Sequence, residues 1–169
     1  MDAGELMQFW NGLVDMNPTQ RIAFQMALMT GQRIGEILNT QWNDFIEDKW
    51  VIPDPKNCKG PHKIPVTDDM KALMAELSNI GVFTPYQFPT TFLDKRTGKI
   101  RLLRNKKTDK IEPMKSPTLT HWLRKALNNK NHPLYGMESF TTHDLRRSMA
   151  THLKGLGFNK PSIGLLLSF

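Results

Sequence analysis

In THDLRRSMATHL (141–152), His143 and Arg146 stand three positions apart, and Arg147 follows at once. On a helix, residues three apart share a face, whereas Arg147 points further round. Groups able to carry like charge repel one another unless water solvates them or an anion draws them together. A solvated helix face is one reading of the cluster. The other is an anion site, since planar guanidinium forks match the oxygens of phosphate and carboxylate. Leu145, Met149 and Leu153 form an apolar set that must face the core, so His143 and Arg146 are expected near the rim of a buried region.

A second group lies more than a hundred residues earlier. Arg33 follows a Thr-Gly turn at the start of a helical pattern, with Glu36 three residues on and able to hold its guanidinium. An exposed ion pair would look the same in sequence. Lys56 and Lys59 lie in the turn PKNCKG, where a lysine either reaches into a cleft or only adds solubility. The stretch 94–112 carries Lys95, Arg96, Lys99, Arg101, Arg104, Lys106, Lys107 and Lys110, and reads as a solvated excursion or as a loop or hairpin that tracks phosphates.

Charge supports an anionic partner. Among 169 residues, 23 Lys and Arg face 16 Asp and Glu, a net charge of +7, which favours nucleic acid first and an anionic membrane surface second. No apolar run approaches the ~18 residues of a membrane span. The start, MDAGELMQFW, lacks the pattern of a signal peptide. The single cysteine, Cys58, rules out an intrachain disulfide and fits a reducing, cytoplasmic setting. Cys58 and His62 have no second close pair of ligands, so no metal is expected, and no glycine-rich loop for nucleotides appears. The chain stops within an apolar run, IGLLLSF (163–169), so an incomplete domain is expected.

The elements that must position these groups are mostly helical. Apolar periodicity marks helices at 19–30, 33–41 and 67–79, the last capped by Thr67. Further helices open at Ser116-Pro117, near Thr142 (running to the glycines at 155 and 157) and at Lys160-Pro161. KWVIPD and HKIPV flank PKNCKG as the arms of a β-hairpin with a basic tip. The expected fold is therefore mainly α with one small antiparallel sheet, an α+β class.

Three of these segments, in this order, resemble the tyrosine recombinase (phage integrase) family. TGQRIGEIL (30–38) is similar to its first arginine box, and the hairpin before PHKIPV to its lysine turn. THDLRRSMATHLKGLG is similar to its His-x-x-Arg box, and YQFP (86–89) falls where many integrases carry a similar Phe-Pro. The resemblance spans roughly residues 5–169.

It implies the catalytic-domain fold over residues 1–169, without the N-terminal core-binding domain and with the C-terminal part incomplete. Arg33 and Arg146 correspond to the pair that grips the scissile phosphate, His143 to the histidine between them, and Glu36 to a supporting acid. A hairpin lysine corresponds to the general acid. The usual spacing lands on Asn57, so Lys56 requires an insertion and Lys59 a deletion; Lys56 is preferred and both are retained. Arg147, Lys99, Arg101, Arg104, Lys106 and Lys107 are the expected DNA contacts. Phe169 stands where the family usually places a further phosphate ligand. Tyr86 and Tyr135 both precede the His-x-x-Arg box, so the nucleophilic tyrosine is expected beyond residue 169.

The implied activity is site-specific breaking and rejoining of DNA through a 3′-phosphotyrosyl intermediate, without metal or cofactor, by a phage or mobile-element integrase in a bacterial cytoplasm. The implied partners are double-stranded DNA, a homotetramer of the full-length enzyme and accessory DNA-bending proteins. Two other functions fit the same residues: relaxation of DNA of the type IB topoisomerase kind, and a DNA-binding module without catalysis.

Overall fold

The computed structural model describes residues 1–14, 16–56, 60–81 and 83–167. Helix α2 (Pro18–Thr30) is the central element. Ile22, Ala23, Phe24, Gln25, Met26 and Ala27 are all buried on it, so it is covered on every side. Its start is set by Asn17, whose side chain accepts from the Thr19 amide, and by Pro18 in the first turn. Its end is set by Gly31, left-handed at φ 64°, whose N–H donates to the Ala27 carbonyl. That left-handed residue turns the chain sharply into α3 (Ile34–Asn39), with Arg33 at the flanking, extended position.

A 3-10 turn, Trp42–Asp44, leads into β1 (Phe45–Ile46), β2 (Lys49–Ile52) and β3 (His62–Pro65). These form an antiparallel sheet in the order β1-β2-β3, with Trp50 opposite Ile64 and Ile52 opposite His62. Helix α4 (Asp68–Asn79) is capped by Thr67, which accepts from the Met70 amide, and packs on α2. A second antiparallel pair follows, β4 (Thr91–Asp94) and β5 (Lys99–Leu102), then α5 (Ser116–Asn128), α6 (Thr142–Gly155) and α7 (Lys160–Leu167). An N-terminal helix, α1 (Ala3–Gly12), places Phe9 in the core, edge-on to Phe24 and Phe140. The buried cluster runs without a break from Phe9 through α2, Trp50, Phe88 and Leu119 to Leu145.

The mainly α fold with antiparallel β follows the expectation, with local differences. There are two small sheets among the described residues where one was expected, because the basic stretch after Thr91 pairs with itself. The pattern also gave no sign of β1, only two residues long and held by Ile46 opposite Lys49. Ser116 lies inside α5, and Lys115 is the flanking residue without a side-chain cap. Helix α1 went unread, although Asp2 and Glu5 form a capping box, each side chain accepting from the other's amide at 2.8 and 2.7 Å.

Candidate active site

The turn between α2 and α3 presents Arg33, and Glu36 on the first turn of α3 holds it. Arg33 Nη1 lies 3.2 Å from Glu36 Oε1, and the Arg33 amide donates to Glu36 Oε2 at 3.3 Å. The same carboxylate accepts from the backbone N–H of Lys56 at 3.4 Å, twenty residues further on. Glu36 thereby ties the arginine turn to the lysine-bearing turn between β2 and β3. Arg33, Glu36 and Lys56 line one cleft of about 590 Å³ together with Asp54, Trp50 and Tyr86. Lys59 lies outside the described residues.

Arg146, on α6, does not line that cleft but bonds the turn that carries Arg33. It is only 2% exposed, and its Nη1 donates to the Gly31 carbonyl at 3.0 Å. Its Nη2 donates to the Leu167 carbonyl at the end of α7. Burying a guanidinium without acceptors is costly, and these two carbonyls supply acceptors while fixing the plane of the fork. The structure thus sets the arginine of the later motif two residues from the arginine of the earlier one.

His143 is exposed at the start of α6, two positions before the buried Leu145 and three before the buried Arg146. His143, Arg146 and Arg147 nevertheless line a single pocket of about 250 Å³ with Ala150 and Thr151. Arg147 stays with the other two at this rim, its Nη1 3.6 Å from Asp144. Asp144 caps α6 by accepting from the Thr141 amide at 2.9 Å and the Thr141 hydroxyl at 2.8 Å. Those two bonds, with smaller contributions from Arg147 and His143, hold its carboxyl below the usual carboxylate range.

The basic stretch forms the β4–β5 hairpin and a following loop closed by a bridge between Arg104 and Ile111. Lys99, Arg101, Arg104, Lys106 and Lys107 are all exposed. Arg101 and Arg104 are partly engaged by the hairpin's own carboxylates, at 3.4 Å from Asp94 and 3.5 Å from Asp109. The base of the hairpin packs at the N-terminal end of α2, where the Thr91 hydroxyl is 2.9 Å from that of Thr19. Arg33 and Arg146 gather at the opposite end of that helix. Thirteen residues of α-helix put about 20 Å between the two ends.

Tyr86, beside Phe88 and Pro89 in sequence, also lines the cleft. The sequence carried no signal for the link from Glu36 to Lys56, which joins positions twenty residues apart. Phe169 lies outside the described residues. Among the described residues no three His, Cys, Asp or Glu side chains gather as a metal site, and no helix is long and apolar enough to cross a membrane.

Compared with known protein families, the chain matches the phage integrase family over residues 2–168. The chain belongs to the phage integrase family. Solved structures share its fold. Residues 75–356 of lambda integrase, a dimer bound to a COC′ core site, align with a TM-score of 0.68 at 18% identity, over 100% of this chain and 56% of that one. A lambda integrase tetramer bound to a Holliday junction gives 0.64 at 20% identity, over 99% and 44%. The lambda integrase catalytic core gives 0.64 at 19% identity, over 99% and 93%. This integrase-family chain therefore spans about half the length of the first two and nearly all of the catalytic core. No curated protein sequence matches it.

Proposed function

We propose that residues 1–169 are the catalytic domain of a site-specific DNA recombinase, an integrase of a phage or mobile element, that breaks and rejoins DNA through a 3′-phosphotyrosyl intermediate. One observation supports the reading above all: Arg146 bonds the Gly31 carbonyl while Glu36 holds both Arg33 and the Lys56 backbone, so hydrogen bonds tie the three motifs to the turn between α2 and α3. The likeness to the lambda integrase catalytic core adds support for the domain assignment.

In this reading Arg33 and Arg146 bind the non-bridging oxygens of the scissile phosphate and stabilise the charge that grows on them in the transition state. A guanidinium has five N–H donors, so the two carbonyls on Arg146 orient the fork for an anion without exhausting it. His143, at the rim, donates to the same phosphate. A tyrosine that residues 1–169 do not supply gives up its phenol proton to solvent and attacks phosphorus as the phenolate, forming the P–O bond to tyrosine and breaking the P–O5′ bond. The ammonium of Lys56, or of Lys59, gives its proton to the leaving 5′ oxygen. Attack by a 5′ hydroxyl on the phosphotyrosine reverses the step and rejoins the strand, so no nucleotide is consumed.

The substrate is double-stranded DNA, tracked by Lys99, Arg101, Arg104, Lys106, Lys107 and Arg147. The acting species is a homotetramer on two duplexes in the bacterial cytoplasm, assisted by accessory DNA-bending proteins. The test is a nicked duplex substrate incubated with the full-length gene product and resolved on a denaturing gel. A covalent protein–DNA band is expected for the wild type and its near loss for Arg33→Ala and Arg146→Ala. Cleavage by both variants at near the wild-type rate would overturn the assignment.

A further inference from the structure

Two carbonyls in the last described turn of α7, those of Leu166 and Leu167, are met by side chains from three other parts of the fold. The Leu166 carbonyl accepts from Gln32 Nε2 at 2.8 Å and lies 3.2 Å from His62 Nε2. The Leu167 carbonyl accepts from Arg146 Nη2. The turn after α2, the first residue of β3 and helix α6 thus converge on one helix end. Helix C-termini carry partial negative charge, which suits such donors.

The chemistry of each group fixes its role. Gln32 is buried, and the two N–H bonds of its amide go to Leu166 O and, at 3.2 Å, to Thr30 O. Its Oε1 has no hydrogen-bond partner among the described residues. Turning the amide over would set that oxygen against two carbonyl oxygens, so the need for donors decides its orientation. A carbonyl only accepts, so His62 meets Leu166 with a protonated Nε2. Leaving a buried acceptor unmet is unfavourable, and the fold tolerates it here to hold the end of α7.

That end matters because of what it touches. Helix α7 has eight residues and a glycine at 164, too short to set its own position. Leu167 is buried against Gly31: a Cβ at Gly31 would come within 2.5 Å of Leu167 Cδ2. The carbonyls of Gly31 and Leu167 together fix the fork of Arg146. We infer that Gln32 and His62 are positioning residues for Arg146, anchoring the end of α7 whose Leu167 carbonyl orients the guanidinium. The inference rests on the reading of Arg146 as a phosphate-gripping group, and it adds two residues that touch no substrate.

The test follows the Nε–H of Arg146 by NMR in the 15N-labelled chain, with Arg21 Nε–H, on the far side of α2, as the internal reference. Solvent exchange of the Arg146 proton should rise about tenfold in Gln32→Leu and in His62→Leu, the effect of losing one net hydrogen bond. His62→Gln, whose amide can donate as Nε2 does, should restore the wild-type rate. An unchanged rate in both leucine variants, or no difference between His62→Gln and His62→Leu, would overturn the inference. If the leucine variants do not fold, His62→Asn replaces His62→Leu, because its shorter amide falls short of Leu166. Adding duplex DNA to the wild type separates the two readings. A shift of the Arg146 signal supports the phosphate grip, whereas no shift alongside the expected exchange pattern overturns the grip and leaves the anchoring in place.

Discussion

Arg146 on α6 donates its Nη1 to the carbonyl of Gly31 at 3.0 Å, across 115 positions of chain. This bond ties the later motif to the turn that carries Arg33, and its geometry needs a fork rather than a point charge. Arg146→Lys keeps the charge but cannot serve Gly31 and Leu167 together. One buried carbonyl is left without its donor, at a cost of about 1–3 kcal/mol. Urea unfolding should show that loss, with a smaller one for Arg33→Lys, whose ammonium can still pair with Glu36. Equal midpoints for Arg146→Lys and the wild type would mean that the two carbonyls do not hold the fork.

Glu36 joins Arg33 to the backbone of Lys56, so its charge should matter to geometry more than to affinity. Glu36→Gln is expected to slow covalent complex formation by the full-length protein about tenfold or more, through misplacement of Arg33 and the lysine turn. Duplex affinity should stay the same, because most of it comes from dispersed cations. A parallel loss of affinity and rate would show instead that Glu36 supports the whole surface.

Much of this was legible because the signals are local. Thr67 as a cap, the apolar stripe of α4 and the spacing of Arg33 and Glu36 follow from helical geometry alone. The basic residues of 94–112 were visible as charge, but their pairing into β4–β5 depends on Asp94 and Thr97 forming the turn, a weaker signal. Arg146 read as a rim residue because three-residue spacing says which face a side chain takes, not how deeply that face is covered. Its burial comes from α7 folding back onto Gly31, a long-range event that no periodicity encodes. Gln32 and His62 are illegible for the same reason: their partner is a main-chain carbonyl, which every residue has.

Gly31 and Gly35 sit four residues apart and should respond oppositely to alanine. Gly31 has φ 64°, and a Cβ there would meet Leu167 at 2.5 Å and Met149 at 2.9 Å. The left-handed backbone alone costs an L-residue about 1–2 kcal/mol, and the crowding adds to it. Gly35 lies within α3 with nothing in 4 Å of an added Cβ, so Gly35→Ala should stabilise by roughly 0.5–1 kcal/mol. Thermal unfolding of the two variants checks the pair. A stable Gly31→Ala would mean that α7 does not close on this turn.

The β4–β5 hairpin offers a graded test of DNA binding. Lys99, Lys106 and Lys107 are exposed and in no ion pair among the described residues, whereas Arg101 and Arg104 are shared with Asp94 and Asp109. Neutralising the three lysines to glutamine should flatten the dependence of log affinity on log salt by about 0.9 for each phosphate no longer neutralised. Arg101→Gln and Arg104→Gln should flatten it less, because Asp94 and Asp109 already neutralise part of each guanidinium's charge. A slope unchanged by the triple substitution would make the hairpin a solvated surface.

Asp144 gives a prediction with a sign fixed by protonation. Its carboxylate accepts from the Thr141 amide and hydroxyl, and these bonds lower its native value below that of the unfolded chain. The native state therefore binds the proton less readily than the unfolded state. The stabilisation is fully present above the ordinary aspartate value of about 3.9 and is lost as pH falls through the lowered native value. Asp144→Asn keeps the shape but weakens the acceptor, so it should cost about 1 kcal/mol at neutral pH, as loss of a helix cap does. As acid protonates Asp144 in the wild type, the two proteins should converge in stability, the gap closing only below the ordinary aspartate range. Urea unfolding of both across that range decides the matter. A gap that persists undiminished at the lowest pH would mean that packing rather than the charged cap sets the start of α6, and with it the placement of His143 and Arg146.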